Sequence, residues 1–280
     1  VQILRTIEEL RAWSRASRSA GKAIGLVPTM GALHAGHISL VQAAKRECGA
    51  IAVSIFVNPT QFGPNEDFAK YPRTFDDDCA LLQAEGVNVV FAPFPEEMYR
   101  PGAATFVEVE GLSDRLDGAS RPGHFRGVAT VVAKLLIGAE ANRAYFGQKD
   151  AAQVAVLRRM ATDLGLPVEL VVCPIVREPD GLAMSSRNRY LSSEERQRSL
   201  VLKRALDRVA SAIVAGERSA EILKAAAIDA IAMEPEVRLD YIAVVDWATL
   251  EPVPFAVPGI LVAVAAWVGN TRLIDNFIVT

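Results

Sequence analysis

The chain has 280 residues, enough for one large domain or two smaller ones and for a sizeable buried core. Hydrophobic residues make up 51% and charged residues 22%, a globular balance that excludes a disordered chain. Lys and Arg number 30 against 33 Asp and Glu; the resulting charge of −3 argues against a broad nucleic-acid surface but leaves room for a local basic pocket. Ala23–Val27 reads as a strand, followed by a helix over Gly36–Glu47 with Ile38, Val41 and Ala44 on one face. Ala50–Val57 is apolar and β-branched, as expected of a strand buried on both faces. A helix over Thr74–Glu85 and a strand over Val87–Ala92 come next, then a helix over Gly127–Gly138 and a short strand over Ala144–Phe146. Asp150–Leu164 reads as a helix closed by Gly165, and Val168–Cys173 as a strand. This alternation predicts an α/β fold, a Rossmann-like parallel sheet with helices on both faces, over residues 1–175.

Beyond the turn Glu178-Pro179-Asp180-Gly181 the pattern changes. Ser192 and Glu195 form a capping-box sequence that opens a long helix ending near Gly216, and Ser219 caps a second helix to about Met233. Val237–Val245 alternates as a half-buried strand does, and Ile260–Val268 with Arg272–Val279 reads as a hairpin around Gly269-Asn270. Residues 176–280 are therefore expected to form a smaller α+β domain. Cys48, Cys79 and Cys173 are odd in number and widely spaced, which fits a reducing, cytoplasmic setting. The longest apolar run, Gly259–Val268, falls short of the roughly 20 residues of a membrane span. Val1–Arg18 is dotted with charges and reads as no signal peptide; an initiator methionine and a few residues are expected ahead of Val1.

Six stretches carry candidate chemistry. Met30-Gly31-Ala32-Leu33-His34-Ala35-Gly36-His37 lies where the first strand hands over to the first helix, the place where an open parallel sheet binds ligands. A helix N-terminus attracts anions there, and glycines at 31 and 36 permit close approach. Two of the three histidines, His34 and His37, share one face and could donate to phosphate oxygens. A zinc site with His124 as a distant third ligand is the rival, although the H-E-x-x-H spacing is missing. Asn58 and Gln61 end the next strand with two carboxamides suited to hydroxyls and carboxylates, or simply with an Asn-Pro turn. Glu66-Asp67 and Tyr71–Thr74 precede Asp76-Asp77-Asp78, which read as acids of a first helical turn or as magnesium contacts. Arg121 to Gly127, Phe146 to Gln153 and Asp180 to Asn188 complete the set, the last with Ser185, Ser186 and Arg187 on one loop. A Walker A loop, a G-x-G-x-x-G fingerprint and a G-x-S-x-G elbow are all missing, which disfavours P-loop kinases, common dehydrogenases and α/β-hydrolases.

His34-Ala35-Gly36-His37 resembles the H-x-G-H signature of the nucleotidyltransferase superfamily, and Met184-Ser185-Ser186-Arg187 is similar to its second signature. With Pro28–His37, Ile55–Phe62, Tyr71–Thr74, Arg121–Val128, Gly147–Gln153 and Asp180–Asn188, the chain resembles the pantoate–β-alanine ligase (pantothenate synthetase) family. The resemblance implies an ATP-dependent ligase that joins pantoate to β-alanine through a pantoyl adenylate, releasing diphosphate and AMP. It implies an ATP site of Met30 to His37, Gly147, Gln148, Lys149, Asp150, Val176 and Met184 to Arg187, with His37 as proton donor and His34 beside the phosphates. Asp150 would meet the ribose, Lys149 the phosphates, Val176 the adenine through its backbone, and Ser185, Ser186 and Arg187 the departing diphosphate. Gln61 and Gln153 would hold pantoate, with Gln61 near the β-alanine site; Asn58, Arg121 and His124 would meet the substrate or the triphosphate. Mg²⁺ would neutralise phosphate oxygens, with Asp77 or Asp78 as contacts. A homodimer and a C-terminal domain acting as a lid are further expectations. A nucleotidyltransferase moving AMP onto a phosphorylated acceptor is the alternative; it would not need the Asn58, Gln61 and Gln153 carboxamides.

Overall fold

The computed structural model describes residues 1–64 and 66–280. Six parallel strands form one sheet in the order β1-β4-β3-β2-β5-β6: β1 (Gln2–Leu4), β2 (Ile24–Thr29), β3 (Ala50–Ile55), β4 (Val89–Phe91), β5 (Arg143–Gly147) and β6 (Glu169–Cys173). Helices α1 (Ile7–Ser19), α2 (Ala35–Glu47), α3 (Phe75–Ala84), the short α4 (Pro95–Met98) and α5 (Asp117–Ser120), α6 (His124–Ala139) and α7 (Ala151–Asp163) connect and cover it. On one face Leu40, Val41 and Ala44 of α2 and Leu82 of α3 pack on Val27, Ile51, Val53 and Val90. On the other, Leu10 of α1 and the apolar residues of α6 and α7 pack on Ile24, Leu26, Ala52 and Phe91. Burying both faces explains why β2, β3 and β4 read as apolar runs rather than alternations.

The order reverses at the centre, where β2 continues to β3 and β4 on one side and β5 opens the other. Pairing between β2 and β5 covers only Gly25↔Arg143 and Leu26↔Ala144, so the two strands part toward their carboxyl ends. That parting opens a crevice at the topological switch point. Pro28, which has no N–H for a ladder, stands beyond the last β2–β5 pair.

The remaining elements are α8 (Ser193–Ser199), α9 (Val201–Val214), α10 (Ala220–Ile231) and a three-stranded antiparallel sheet of β7 (Val237–Asp246), β8 (Ile260–Val268) and β9 (Thr271–Ile278). The long helix expected from Ser192 to Gly216 is interrupted at Leu200. The Ser199 hydroxyl donates to the Arg196 carbonyl, and such side-chain bonds compete with the helical ladder. The central strand β8 is sandwiched: Ile260, Val262, Val264 and Ala266 face α9 and α10, while Leu261 and Ala263 join the core of the parallel-sheet layer. The smaller sheet is thus packed by its apolar underside against α7, where the Trp247 indole N–H also donates to the Ala151 carbonyl at 3.1 Å. No helix among the described residues is long and apolar enough to cross a membrane.

Four elements, β1, α1 and the one-turn helices α4 and α5, are found only in the structure. Three residues are too few to show a period, but α1 carries a local signal, the capping box of Thr6 and Glu9.

Candidate active site

The crevice holds a cavity of about 230 Å³, continuous in its lining with a cleft of about 980 Å³ that runs out between the parallel sheet and the C-terminal sheet. Arg121, His124, Lys149, Asp150, Gln153, Ser185 and Arg187 line both. Met30, His34, Gly36, His37, Asn58 and Gln61 line the inner cavity, as do Gly147, Val176, Met184 and Ser186. The fold therefore brings the motifs of all but the Asp76–Asp78 run to one place. Gly31, Ala32, Leu33, Ala35 and Gln148 stand off its wall. Gln148 turns to the C-terminal sheet instead, donating from Nε2 to Asn276 Oδ1 at 3.2 Å.

His34 is the N-cap of α2, and its Nδ1 accepts from the Gly36 N–H at 3.1 Å. The His34 N–H in turn donates to His37 Nδ1 at 3.3 Å, so two imidazoles form the reciprocal cap that Ser and Glu usually supply. Because both Nδ1 atoms accept, each neutral ring carries its proton on Nε2. Burial, with the Lys149 and Arg189 charges added, lowers the His34 pKa to about 4. Burial, with His34 and Lys149 added, lowers that of His37 to about 3. The pair is a set of two neutral N–H donors at a helix N-terminus, with ring centroids 4.1 Å apart. A Cβ at 36 would lie 2.9 Å from the His34 ring, so glycine there lets the imidazole sit against the helix start without shifting.

Asp78 has a different task from the metal contact expected of it. It is buried, and its two carboxylate oxygens accept the Ala32 and Leu33 N–H groups, each at 2.9 Å, fixing the turn that leads into His34. Asp77 is exposed in the first turn of α3. Among the described residues no group of three His, Cys, Asp or Glu side chains is placed to hold a metal ion; Asp78 has both oxygens on backbone N–H groups, and Asp77 lines neither the inner cavity nor the outer cleft.

Opposite the histidines, Asn58 donates to Gln61 Oε1 at 3.0 Å and to the Gly127 carbonyl at 3.2 Å, and Gln61 Nε2 reaches Met30 Sδ at 3.2 Å. This seating requires glycine at 127: a Cβ there would stand 2.3 Å from the Thr60 carbonyl oxygen. His124 is a positioning residue rather than a substrate contact. Its Nδ1–H donates to the Gln61 carbonyl at 2.8 Å and its Nε2 accepts from Arg121 at 2.9 Å, leaving neither nitrogen for a ligand. Burial and the adjacent Arg121 lower its pKa to about 4, consistent with a neutral ring.

Two acids close the outer wall. Glu66 takes Arg121 through a fork of 2.7 and 2.6 Å, and Asp67 takes Arg187 through one of 3.0 and 3.0 Å. Burial raises the carboxyl pKa of both, but the arginines prevail and hold each below its usual value. Tyr71, also unassigned from sequence, meets the Ser186 hydroxyl at 3.2 Å. The apolar wall is the larger omission: Val128, Val131, Val132 and Leu135 line the cavity from α6. Their i, i+3, i+4, i+7 spacing is legible in the sequence, yet it is equally the spacing of a core stripe.

The family model of pantoate–β-alanine ligase matches residues 2–278. A pantothenate synthetase from Acidobacterium capsulatum is 66% identical over 255 residues, 91% of this chain and 85% of that protein. The crystal structure of pantothenate synthetase from Thermus thermophilus superposes with a TM-score of 0.94 at 47% identity, covering 99% of each chain. A pantoate–β-alanine ligase from Francisella tularensis, solved in complex with β,γ-ATP and β-alanine, matches with a TM-score of 0.76 at 34% identity over 99% of this chain and 97% of that one. Matched from end to end by the family model and at high identity by a curated relative, the chain belongs to the pantoate–β-alanine ligase family.

Proposed function

We propose that this chain condenses pantoate with β-alanine at the expense of ATP, through an enzyme-bound pantoyl adenylate. One observation carries the reading: the two neutral Nε2–H donors at the start of α2 share a single cavity with Lys149, the Ser185–Arg187 loop and the carboxamides of Gln61 and Gln153. The donors suit a phosphate, and the carboxamides suit a hydroxy acid. Val128, Val131, Val132 and Leu135 offer an apolar wall to pantoate's quaternary carbon with its two methyl groups. The Francisella relative's ligands, β,γ-ATP and β-alanine, support the same substrate set.

In the first step a pantoate carboxylate oxygen attacks the α-phosphorus, the bond to the β-phosphate oxygen breaks, and diphosphate leaves. His37 and His34 donate to oxygens where charge builds, and Lys149 with Arg187 draws the departing diphosphate. Neutral imidazoles add no charge to balance when the site is empty, yet their N–H groups already point where an anion arrives. In the second step the β-alanine nitrogen attacks the acyl carbon, the bond to AMP breaks, and the amine gives up a proton. Magnesium arrives on the triphosphate as part of the substrate; this ion needs few protein ligands when phosphates supply oxygens.

The same reading makes the chain a cytoplasmic homodimer. Cys48, Cys79 and Cys173 are free thiols, as a reducing compartment favours. Residues 101–106 run exposed and in no strand, with Phe106 42% exposed, and a second copy would cover that apolar ring. A mass from light scattering checks this, and a monomer would refute it.

The deciding test is diphosphate release from ATP, Mg²⁺ and pantoate without β-alanine. The expected result is a burst of about one diphosphate per site, followed by AMP and pantothenate once β-alanine is added. Turnover only with a phosphorylated acceptor would transfer the chain to the nucleotidyltransferase reading instead.

A further inference from the structure

Glu66 and Asp67 are consecutive, and each holds a cleft arginine in a bidentate fork, yet the two arginines differ in what else binds them. Arg121 also donates to His124 Nε2 and to the Gln61 carbonyl, so its guanidinium is fixed from three sides. Arg187 gives Nε and Nη2 to Asp67, and its Nη1 has no partner among the described residues. The Arg187–Asp67 pair stands where the inner cavity joins the outer cleft, with 28% and 23% of the two side chains exposed.

An arginine fork that accepts two carboxylate oxygens accepts two phosphate oxygens in the same geometry. We infer that Asp67 occupies Arg187 in place of phosphate, so that the β- and γ-phosphates of an incoming nucleotide must displace it and their departure lets it return. Asp67 thereby weakens the binding of triphosphate and diphosphate while leaving a monophosphate nucleotide untouched. The contact favours emptying of the site after the first step, because the leaving diphosphate competes with a carboxylate already tethered beside it. Glu66 has no such role, since the guanidinium it grips is held by two further partners. This inference rests on the ATP-dependent reading above.

The test is calorimetric binding of ATP, inorganic pyrophosphate and AMP to the full chain and to Asp67→Asn, which keeps the side chain's size and removes its charge. The expected result is ATP and pyrophosphate binding tightened about fivefold, with AMP binding unchanged and the gain shrinking as salt screens the pair. Asp67→Ala should behave alike. Unchanged or weakened ATP binding with intact AMP binding would overturn the inference, because Asp67 would then be holding Arg187 ready rather than occupying it. Loss of all three ligands in Asp67→Asn alone would overturn it too, making Asp67 a structural tie. If the unaltered chain bound neither ATP nor AMP, the ATP-dependent reading itself would fall.

Discussion

The two walls of the cleft are built by opposite means. On the β2–α2 side, the His34–His37 cap and the Asp78 contacts to Ala32 and Leu33 rest largely on backbone groups, and the imidazoles are uncharged. On the far side, the loop from Arg177 to Asn188 is held by charge: Arg187 to Asp67, Arg177 to Asp275, and Arg196 to Glu178 and Asp180. The first wall is set rigidly before any ligand arrives, and the second is assembled from pairs a charged ligand can compete for. A catalyst of phosphoryl chemistry needs both, fixed donors where the reaction occurs and exchangeable cations where the product leaves.

The sharpest way to break this contrast is to remove the fixed donor. His37→Ala is expected to slow diphosphate release by about 2.7–4 kcal/mol of barrier, a hundredfold or more, while barely touching aminolysis of preformed adenylate. Equal losses in single-turnover measurements of the two steps would take away its assigned role.

Acid provides the next test. His34, His37 and His124 have folded-state pKa values of about 4, 3 and 4, below the unfolded value of 6.5. The unfolded chain therefore binds more protons below pH ~6.5, and stability is lost as pH falls from there toward the folded values. Melting temperatures across pH 7.5 to 4 should drop, and His124→Gln should flatten the fall. An identical slope in that variant would show that His124 is not among the groups responsible.

Gly127→Ala comes third. Alanine favours a helix by about 1 kcal/mol, but its Cβ would meet the Thr60 carbonyl, and overpacking of this kind costs about 1–3 kcal/mol. Net destabilisation in chemical denaturation, with a raised KM for pantoate through Gln61, is expected; a stabilised variant would mean the Thr60 loop yields freely. The smallest effect belongs to the charged wall. Arg196→Gln should cost at most about 1 kcal/mol and should be masked by salt. A larger, salt-insensitive loss would erase the distinction between the walls.

The same division governs what can be read in advance. The α2 start, the hairpin at Gly269-Asn270 and the Ser192–Glu195 cap have signals within a few residues, and all three are legible in the sequence. The site's motifs are legible because the switch-point rule places strand ends together. The arginine partners are not: Asp67 lies 120 positions from Arg187, and Asp275 lies 98 from Arg177. The role of Asp78 is hidden for a related reason, since three adjacent acids look alike until the helix turns one of them inward. His124 is placed at the substrate or triphosphate only by the family resemblance, because nothing in its own neighbourhood of sequence shows its partners. Only the fold shows that the Gln61 carbonyl takes one of its nitrogens.

One modest contact gives the chain an exposure to oxidants. Gln61 is steadied by a hydrogen bond to the thioether of Met30, a partner that peroxide converts to a sulfoxide. The sulfoxide oxygen is a stronger acceptor on a bulkier, chiral group, so the carboxamide would be pulled from its resting position at the floor of the crevice. Oxidation of Met30 would then slow the chain with its three thiols still reduced, and methionine sulfoxide reductase would restore it where a thiol reductant would not.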